Sequence, residues 1–594
     1  MQKTQLLSGN EAIALAARHA GCRVASAYPG TPSTEIMENI ARHKDRIVGE
    51  WSTNEKVAME VAIGASIGGA RSLCAMKHVG LNVAMDPLMT FTFVGATGGM
   101  LIIVADDPGM HSSQNEQDSR NLVKFARAPL FEPSDSQEAY EMARAAFDLS
   151  EKYRVPVFLR TTTRTAHSSS PVTFDDVDPP QPERIPYVKN IRRTVAVPAF
   201  AKLMRVDAEK RTVELTTAAE ESGFNRIEPG DKRLGLVTSS IAYQHVKEVF
   251  PEFSILKLGF SNPLPLELVR KFAAGVERLV VVEELDPFMA DQMRAAGIAV
   301  ERPATALQMM ELNPARLTAL RGELLGDVEA PAVTASPEGL PTRPPVLCAG
   351  CGHRGVFYTL KRLKATVTGD IGCYTLAAFP PLDAMDTTIC MGASIGTAIG
   401  MRKAGHPGRI AAVIGDSTFF HSGMTGLLDA VYNKVPIAVV ILDNSTTAMT
   451  GHQEHPGTGK TLIGEEAPAA DIVAVAKALG VRQVRAVPPY DMALLETVFK
   501  EALDAEETAV VVVRGPCVLA AKLYLNATPY TVDEDKCVAC GACFRLGCPA
   551  IIRGEPYGPD GKRFKRNINS PSCIGCDLCR QVCKFDAIYR VGDR

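Results

Sequence analysis

The chain has 594 residues, 46% apolar and 22% charged, with a formal net charge of −3. That is too long for one hydrophobic core and implies roughly three to five domains. The near-neutral balance excludes a basic field for nucleic acid, and no uninterrupted apolar run reaches the ~20 residues of a membrane span.

The N-terminal MQKTQLLSGNEAIALAARHAGC has charges inside it and reads as an amphipathic helix and a poor signal peptide, so a cytoplasmic location is expected. Residues 1–170 alternate helical stretches with the apolar runs CRVASAYPG, ARSLCAM, GMLIIVADD and VPVFLRTTT, the pattern of a parallel α/β sheet, and a first domain is drawn at 1–180. The Pro-rich, polar residues 170–195 read as a linker. Shorter α/β signals, RLGLVTSSI, FSILKLGF and RLVVVEEL, define a domain at 196–328. PAVTASPEGLPTRPP (331–345) reads as a second linker. Residues 345–525 are α/β again, with strands IAAVIG, IAVVIL and AVVVVR. Residues 530–594 are Cys-rich and too short for much of a core without help.

In the third region, GDSTFFHSGMTGLLDAVYNKVPIAVVILDN (415–444) ends one apolar run in Asp416 and the next in Asp443-Asn444. Ligands of parallel sheets sit beyond the carboxyl ends of strands, and a right-handed crossover returns the chain to that edge. Asp416 and Asn444 can therefore face one crevice as hard oxygen ligands for Mg²⁺ or Ca²⁺ carrying phosphate. The same residues also suit a helix N-cap and a turn.

Fifteen cysteines are many for a cytoplasmic chain, where disulfides are disfavoured, and eight fall in the last 58 residues. CVACGACFRLGCP (537–549) and CIGCDLCRQVCKFDAI (573–588) resemble the bacterial ferredoxin run for [4Fe–4S] clusters, in which the fourth Cys serves the other cluster. The resemblance assigns Cys537, Cys540, Cys543 and Cys583 to one cluster and Cys573, Cys576, Cys579 and Cys548 to the second. Its departures are one extra residue before Cys548 and Lys584 in place of Pro. Two structural zincs are the alternative.

The 415–444 stretch is similar to the thiamine diphosphate motif, GDG followed at a set spacing by NN. Here 25 residues separate Ser417 from Asp443, which stand where the motif has Gly and Asn. The resemblance implies that Asn444 coordinates Mg²⁺ with Asp416, and that the Thr446 backbone carbonyl completes the set. It also implies a Glu that hydrogen-bonds the aminopyrimidine. EWSTNEKVAMEVAIGASIGGA (50–70) resembles the family's Glu-before-AxxGAxxxGA pattern and singles out Glu55, with Glu60 the competitor.

Thiamine beside low-potential iron–sulfur is the pairing of the 2-oxoacid:ferredoxin oxidoreductases. AYPGTPSTEI (27–36), HSSQNEQDSR (111–120), CAGCGHRGVFY (348–358) and GDIGCYTL (369–376) resemble the branch that acts on aryl pyruvates such as indolepyruvate. The resemblance implies two thiamine-binding, doubly wound parallel α/β domains, a smaller transketolase-C-like α/β domain between them, and a two-cluster ferredoxin-like α+β tail. It implies oxidative decarboxylation with coenzyme A to an arylacetyl-CoA, soluble ferredoxin as acceptor, and a small β subunit in an α₂β₂ assembly. It places Thr31 at the substrate carboxylate, His111, Gln114 and Asn115 on an active-site loop, and His353 and Tyr374 on the diphosphate side. It suggests a third cluster on Cys348, Cys351, Cys373 and Cys517, with Cys390 a possible substitute. Read without it, these cysteines are small buried hydrophobes or, with His353, a zinc site. Rival functions are the same chemistry on pyruvate, 2-oxoglutarate or a branched-chain 2-oxoacid, a non-oxidative decarboxylase, and an electron carrier on a relic thiamine scaffold.

Overall fold

Parallel strands roofed by helices are buried on both faces. The apolar runs become such strands in the computed structural model, which describes residues 2–303, 309–326 and 344–593. Ser72–Lys77 and Met100–Asp106, for example, are buried at every position. The chain packs as two units, Met1–Leu340 and Pro341–Arg594. Of the linker expected at 331–345, residues 331–343 lie outside the described residues.

In the first unit a seven-stranded sheet runs in the order Phe260–Asn262, Leu130–Phe131, Val157–Thr162, Met100–Asp106, Ser72–Lys77, Val24–Ala27, Val48–Trp51. Its strands are parallel except the first. That first strand comes from the middle region, whose own sheet runs Leu279–Val282, Asp231–Thr238, Phe253–Leu258, Asn225–Glu228. Buried ion pairs reinforce the join. Arg120 Nη1 lies 3.0 Å from Glu283 Oε2, and Lys257 Nζ lies 2.6 Å from Glu138 Oε2. The helix Pro198–Glu220 packs Met204 and Phe200 against Phe91 and Val94, in the core of the seven-stranded sheet.

Two expectations change. The N-terminus does not open as a helix: Gln2–Ser8 is a strand, antiparallel to Ser169–Asp175. The helix Gly9–His19 starts only where Ser8 and Glu11 form a capping box, which fixes the boundary. The same pairing takes residues 170–175 out of the expected linker, and Ile191–Thr194 forms a helical turn within its remainder.

The second unit holds an all-parallel six-stranded sheet, ordered Thr387–Thr388, Thr366–Gly369, Ile410–Gly415, Ala438–Asp443, Ala509–Arg514, Gln483–Val487. The Cys-rich tail contributes two short antiparallel pairs, Tyr530–Val532 with Ile588–Arg590 and Ile551–Tyr557 with Arg563–Ile568. It docks on the sheet domain through Leu578 against Met492. Gln581 clasps the join, accepting from Met492 N (3.0 Å) and donating to Tyr490 O (2.7 Å). Among the described residues no helix is long and apolar enough to cross a membrane.

Candidate functional site

Ile410–Gly415 and Ala438–Asp443 are adjacent parallel strands, with Gly415 opposite Leu442, so Asp416 and Asn444 emerge side by side at their carboxyl ends. The buried Asp416 carboxylate accepts N–H bonds from Ser417 (2.8 Å), Asn444 (3.0 Å) and Ser445 (2.8 Å). A carboxylate offers about four acceptor positions, so about one is left. Asn444 Oδ1 accepts from Thr446 N at 3.1 Å, as the turn reading requires, and as a carbonyl oxygen keeps a second lone pair. His455 Nε2 lies 3.3 Å from Asp416 Oδ2, buried and without a hydrogen-bond partner. These acceptors beside an orphaned nitrogen fit a cation carrying a polar ligand.

Around this edge, His353 begins the helix His353–Arg362, and its ring meets Tyr374 edge-on at 6.0 Å. Burial lowers the His353 imidazole to about 4, so it is neutral at physiological pH. Tyr374 Oη donates to Ile371 O at 2.8 Å. A Cβ on Gly415 would lie 2.8 Å from the Tyr374 ring, so only glycine lets the ring lie against this strand end. The sequence reading missed Asp370. Its buried carboxylate accepts from Ile371 N (2.9 Å), Gly392 N (2.7 Å) and Ser394 N (3.1 Å), pinning the loop that carries Cys373.

In the first unit the carboxyl edge of the seven-stranded sheet gathers Thr31, Glu55 and the 107–118 loop. Glu55 opens the helix Glu55–Ile67 behind the Asn54 cap, whose side chain accepts from Val57 N at 2.9 Å. It is 5% exposed, and its carboxylate lies where a Cβ on Gly80 would be, 2.6 Å from Oε1. Glu60, the competitor, is half exposed and pairs with Lys56. Thr31 lies in the turn closed by Ser33 N on Gly30 O (2.8 Å). His111, Gln114 and Asn115 are exposed, and His111 lies 3.4 Å from Glu311.

Lys77, also missed, links these segments. It packs under Gly30, donates to Ser112 O, and faces Asp107. Asp107 in turn accepts from Ser112 N (2.8 Å) and Ser113 Oγ (2.5 Å). Burial lowers the Lys77 ammonium to about 8, against the opposing pull of Asp107. Beside it His78 is fully buried, and the Asn115 side chain is among the groups that face its ring. A lysine ending the strand LCAMK is the signal that could have found it, since such positions face ligands.

Twelve of the fifteen cysteines fall into three groups. Cys348, Cys351, Cys373 and Cys517 line one cavity of about 730 Å³, open solvent included, together with His353 and Asn444. Cys390 is exposed and does not line it. Cys537, Cys540, Cys543 and Cys583 line a second cavity of about 350 Å³. Cys548, Cys573 and Cys576 are the principal electrostatic neighbours of Cys579. Burial pushes the Cys351 thiol up to about 12, and those of Cys373, Cys543 and Cys576 to about 11. Such thiols hold their protons unless a metal takes the proton's place. Among the described residues no three His, Cys, Asp or Glu side chains converge closely enough for a single metal ion.

Three family models match the chain. They are pyruvate flavodoxin/ferredoxin oxidoreductase, thiamine diP-binding, over residues 15–221; thiamine pyrophosphate enzyme, C-terminal TPP binding domain, over 370–513; and a 4Fe-4S dicluster domain over 530–584. The chain is 41% identical to indolepyruvate oxidoreductase subunit IorA of Pyrococcus abyssi, over 99% of this chain and 97% of that one. It is 39% identical to the subunit of the same name from Archaeoglobus fulgidus, over 98% and 97%. With 2-oxoglutarate synthase subunit KorA of Methanocaldococcus jannaschii it shares 28% identity, over 38% of this chain and 64% of that one.

Proposed function

The chain belongs to the thiamine-diphosphate-dependent 2-oxoacid:ferredoxin oxidoreductases, as a homologue of the indolepyruvate oxidoreductase subunit IorA, and on that footing we propose that its substrates are aryl pyruvates, indolepyruvate above all. The reaction takes an arylpyruvate anion, coenzyme A thiol and two oxidised ferredoxins. It gives arylacetyl-CoA, CO₂, one proton and two reduced ferredoxins. Thiamine diphosphate, when bound, supplies a carbon nucleophile for the 2-oxoacid carbonyl and a sink for the electron pair that CO₂ leaves behind.

The residues divide the work. Glu55 would hold and return a proton at its carboxylate, beside the aminopyrimidine of the bound cofactor. Asp416, the Asn444 side chain and the Thr446 backbone carbonyl would hold Mg²⁺ on the diphosphate, which His353 and Tyr374 would flank without adding charge. Thr31 meets the substrate carboxylate, and His111, Gln114 and Asn115 order the loop above it. The cysteines make three [4Fe–4S] sites, here called inner (Cys348, Cys351, Cys373, Cys517), middle (Cys548, Cys573, Cys576, Cys579) and outer (Cys537, Cys540, Cys543, Cys583). Their neighbours support this order. Tyr490 faces Cys576 of the middle set and both Cys351 and Cys517 of the inner set, while Cys579 feels Cys543 of the outer set. Cys540, in the outer set, is exposed. Electrons would leave there, toward ferredoxin. A smaller β subunit, an α₂β₂ assembly and a cytoplasmic location complete the proposal.

The observation that carries most of this is the cavity lined by four cysteines from three chain segments together with Asn444 and His353. Its test is the composition and activity of anaerobically purified enzyme. Three cubanes require about 12 iron atoms per chain, and two require about 8. A panel of 2-oxoacids with a viologen dye should give the highest kcat/KM for indolepyruvate and depend on CoA. A CoA-independent aldehyde product would instead support the non-oxidative decarboxylase.

Two further outcomes are expected. The Ile551–Tyr557/Arg563–Ile568 hairpin and its turn carry Arg553, Lys562, Arg563, Lys565 and Arg566 against only Glu555 and Asp560. This basic surface suits an acidic electron carrier. Arg553→Glu with Lys562→Glu should raise KM for ferredoxin about tenfold at low salt, less at high salt, while viologen reduction is unchanged. An unchanged KM would remove the hairpin from the docking surface. The second outcome concerns pH. The Lys77 ammonium, facing Asp107 and His78, is charged below about 8 and neutral above it. Substrate-dependent turnover should therefore fall as pH rises through about 8, and Lys77→Arg should move the fall to higher pH. A profile identical in the two enzymes would exclude Lys77 as its source.

A further inference from the structure

Arg354 is 2% exposed, and all three of its hydrogen bonds go to backbone carbonyls. Nε donates to Cys348 O and Nη1 to Leu546 O, each at 3.0 Å, and Nη2 donates to Leu347 O. Among the described residues two other arginines are fully buried, and both are held by acids: Arg120 by Asp118 and Glu283, Arg160 by Asp106 and Glu132. Arg354 makes no ion pair with a carboxylate among the described residues. A buried charge without a counter-charge is strongly disfavoured.

The electrostatic partners of this guanidinium are cysteines. Its main electrostatic neighbours are Cys348 and Cys351 of the inner set and Cys548 and Cys576 of the middle set. The fold keeps space for it. Gly547 has a left-handed φ of +69°, and a Cβ there would lie 3.1 Å from Nη1. The three carbonyls come from the segment leading into the inner cysteines and from the turn before Cys548, so the side chain ties both cysteine segments together.

We infer that Arg354 is the shared counter-cation of the inner and middle iron–sulfur clusters, a positioning residue that raises the reduction potential of both. The inference rests on the three-cluster reading above. A fixed positive charge favours the more negative, reduced form of each neighbouring cluster, so electrons leaving the thiamine side are drawn onto these two clusters. The outer set is not among the principal neighbours of Arg354 and serves as an internal reference.

The test is potentiometric titration of the anaerobic holoenzyme, followed by electron paramagnetic resonance, in wild type, Arg354→Met and Arg354→Lys. Arg354→Met should shift the one-electron equilibria of the inner and middle clusters about tenfold toward the oxidised form, ~59 mV lower, with the outer cluster unmoved. Arg354→Lys, which keeps the charge, should retain most of the wild-type potentials. Selective loss of inner and middle iron in Arg354→Met alone would support the same role. Wild-type potentials in a fully loaded Arg354→Met enzyme would overturn the inference. So would equal shifts in both variants, or loss of all iron from both, since each would reduce Arg354 to packing. Wild-type enzyme with about 8 iron atoms would instead defeat the three-cluster reading beneath it.

Discussion

Glu55→Gln should abolish substrate-dependent dye reduction, by about 1000-fold or more, while the visible absorbance of the clusters stays as in wild type. The substitution is nearly isosteric and keeps the helix Glu55–Ile67 with its Asn54 cap. What it removes is a proton that can be given and taken back, and acid–base catalysis by one positioned group is worth about 10² to 10⁴ in rate. The alternative role, a carboxylate favouring the N-terminus of its helix, is worth about 0.3–1 kcal/mol. Turnover and melting temperature therefore separate the two: catalysis predicts a large loss of rate with a small change in stability. Glu60→Gln is the control, since Glu60 is half exposed and pairs with Lys56. If Glu55→Gln turns over within tenfold of wild type, Glu55 is not the activating acid.

Asp416→Asn should strip the enzyme of thiamine diphosphate, with affinity falling by about 100-fold or more and activity following it. The carboxylate holds three backbone N–H groups at the strand ends. An asparagine has one carbonyl oxygen where the carboxylate has two, and its amide N–H₂ would face donors. The charge opposite the cation would also be lost. Leaving buried donors unsatisfied costs about 1–3 kcal/mol, so some loss of stability is expected as well. Asn444→Ala should do less, because a backbone carbonyl and water can still serve the cation. The measurement is thiamine retained after gel filtration, followed by rescue with millimolar thiamine diphosphate and Mg²⁺. Iron content should not change. Full retention of thiamine by Asp416→Asn would remove Asp416 from the diphosphate site.

Much of this was legible in the sequence because its signals are local. Apolar runs marked the strands, and an acid ending a run marked the strand edge where Asp416 and Asn444 meet. The resemblance to the two-cluster ferredoxin run anticipated that Cys583 would lie with Cys537, Cys540 and Cys543, and the four line one cavity. The extra residue before Cys548 is absorbed by a tight turn at Phe544–Leu546, ended by the left-handed Gly547. The residues that stayed hidden depend on partners far along the chain. Gln2–Ser8 reads as helix until Ser169–Asp175 is beside it. Asp370 makes sense only beside Gly392 and Ser394, and Lys77 only beside Ser112 and Asp107. Arg354 sits within CAGCGHR, yet nothing local says that its bonds reach Leu546.

The strand Phe260–Asn262, lent to the seven-stranded sheet from outside its own domain, makes the first two regions one inheritance. Cutting the chain after residue 221 would bare the Leu130–Phe131 edge, an open template for aggregation, and would leave Arg120 without Glu283. Relatives that rearrange their modules would thus be expected to carry these two blocks together, or to replace the missing edge.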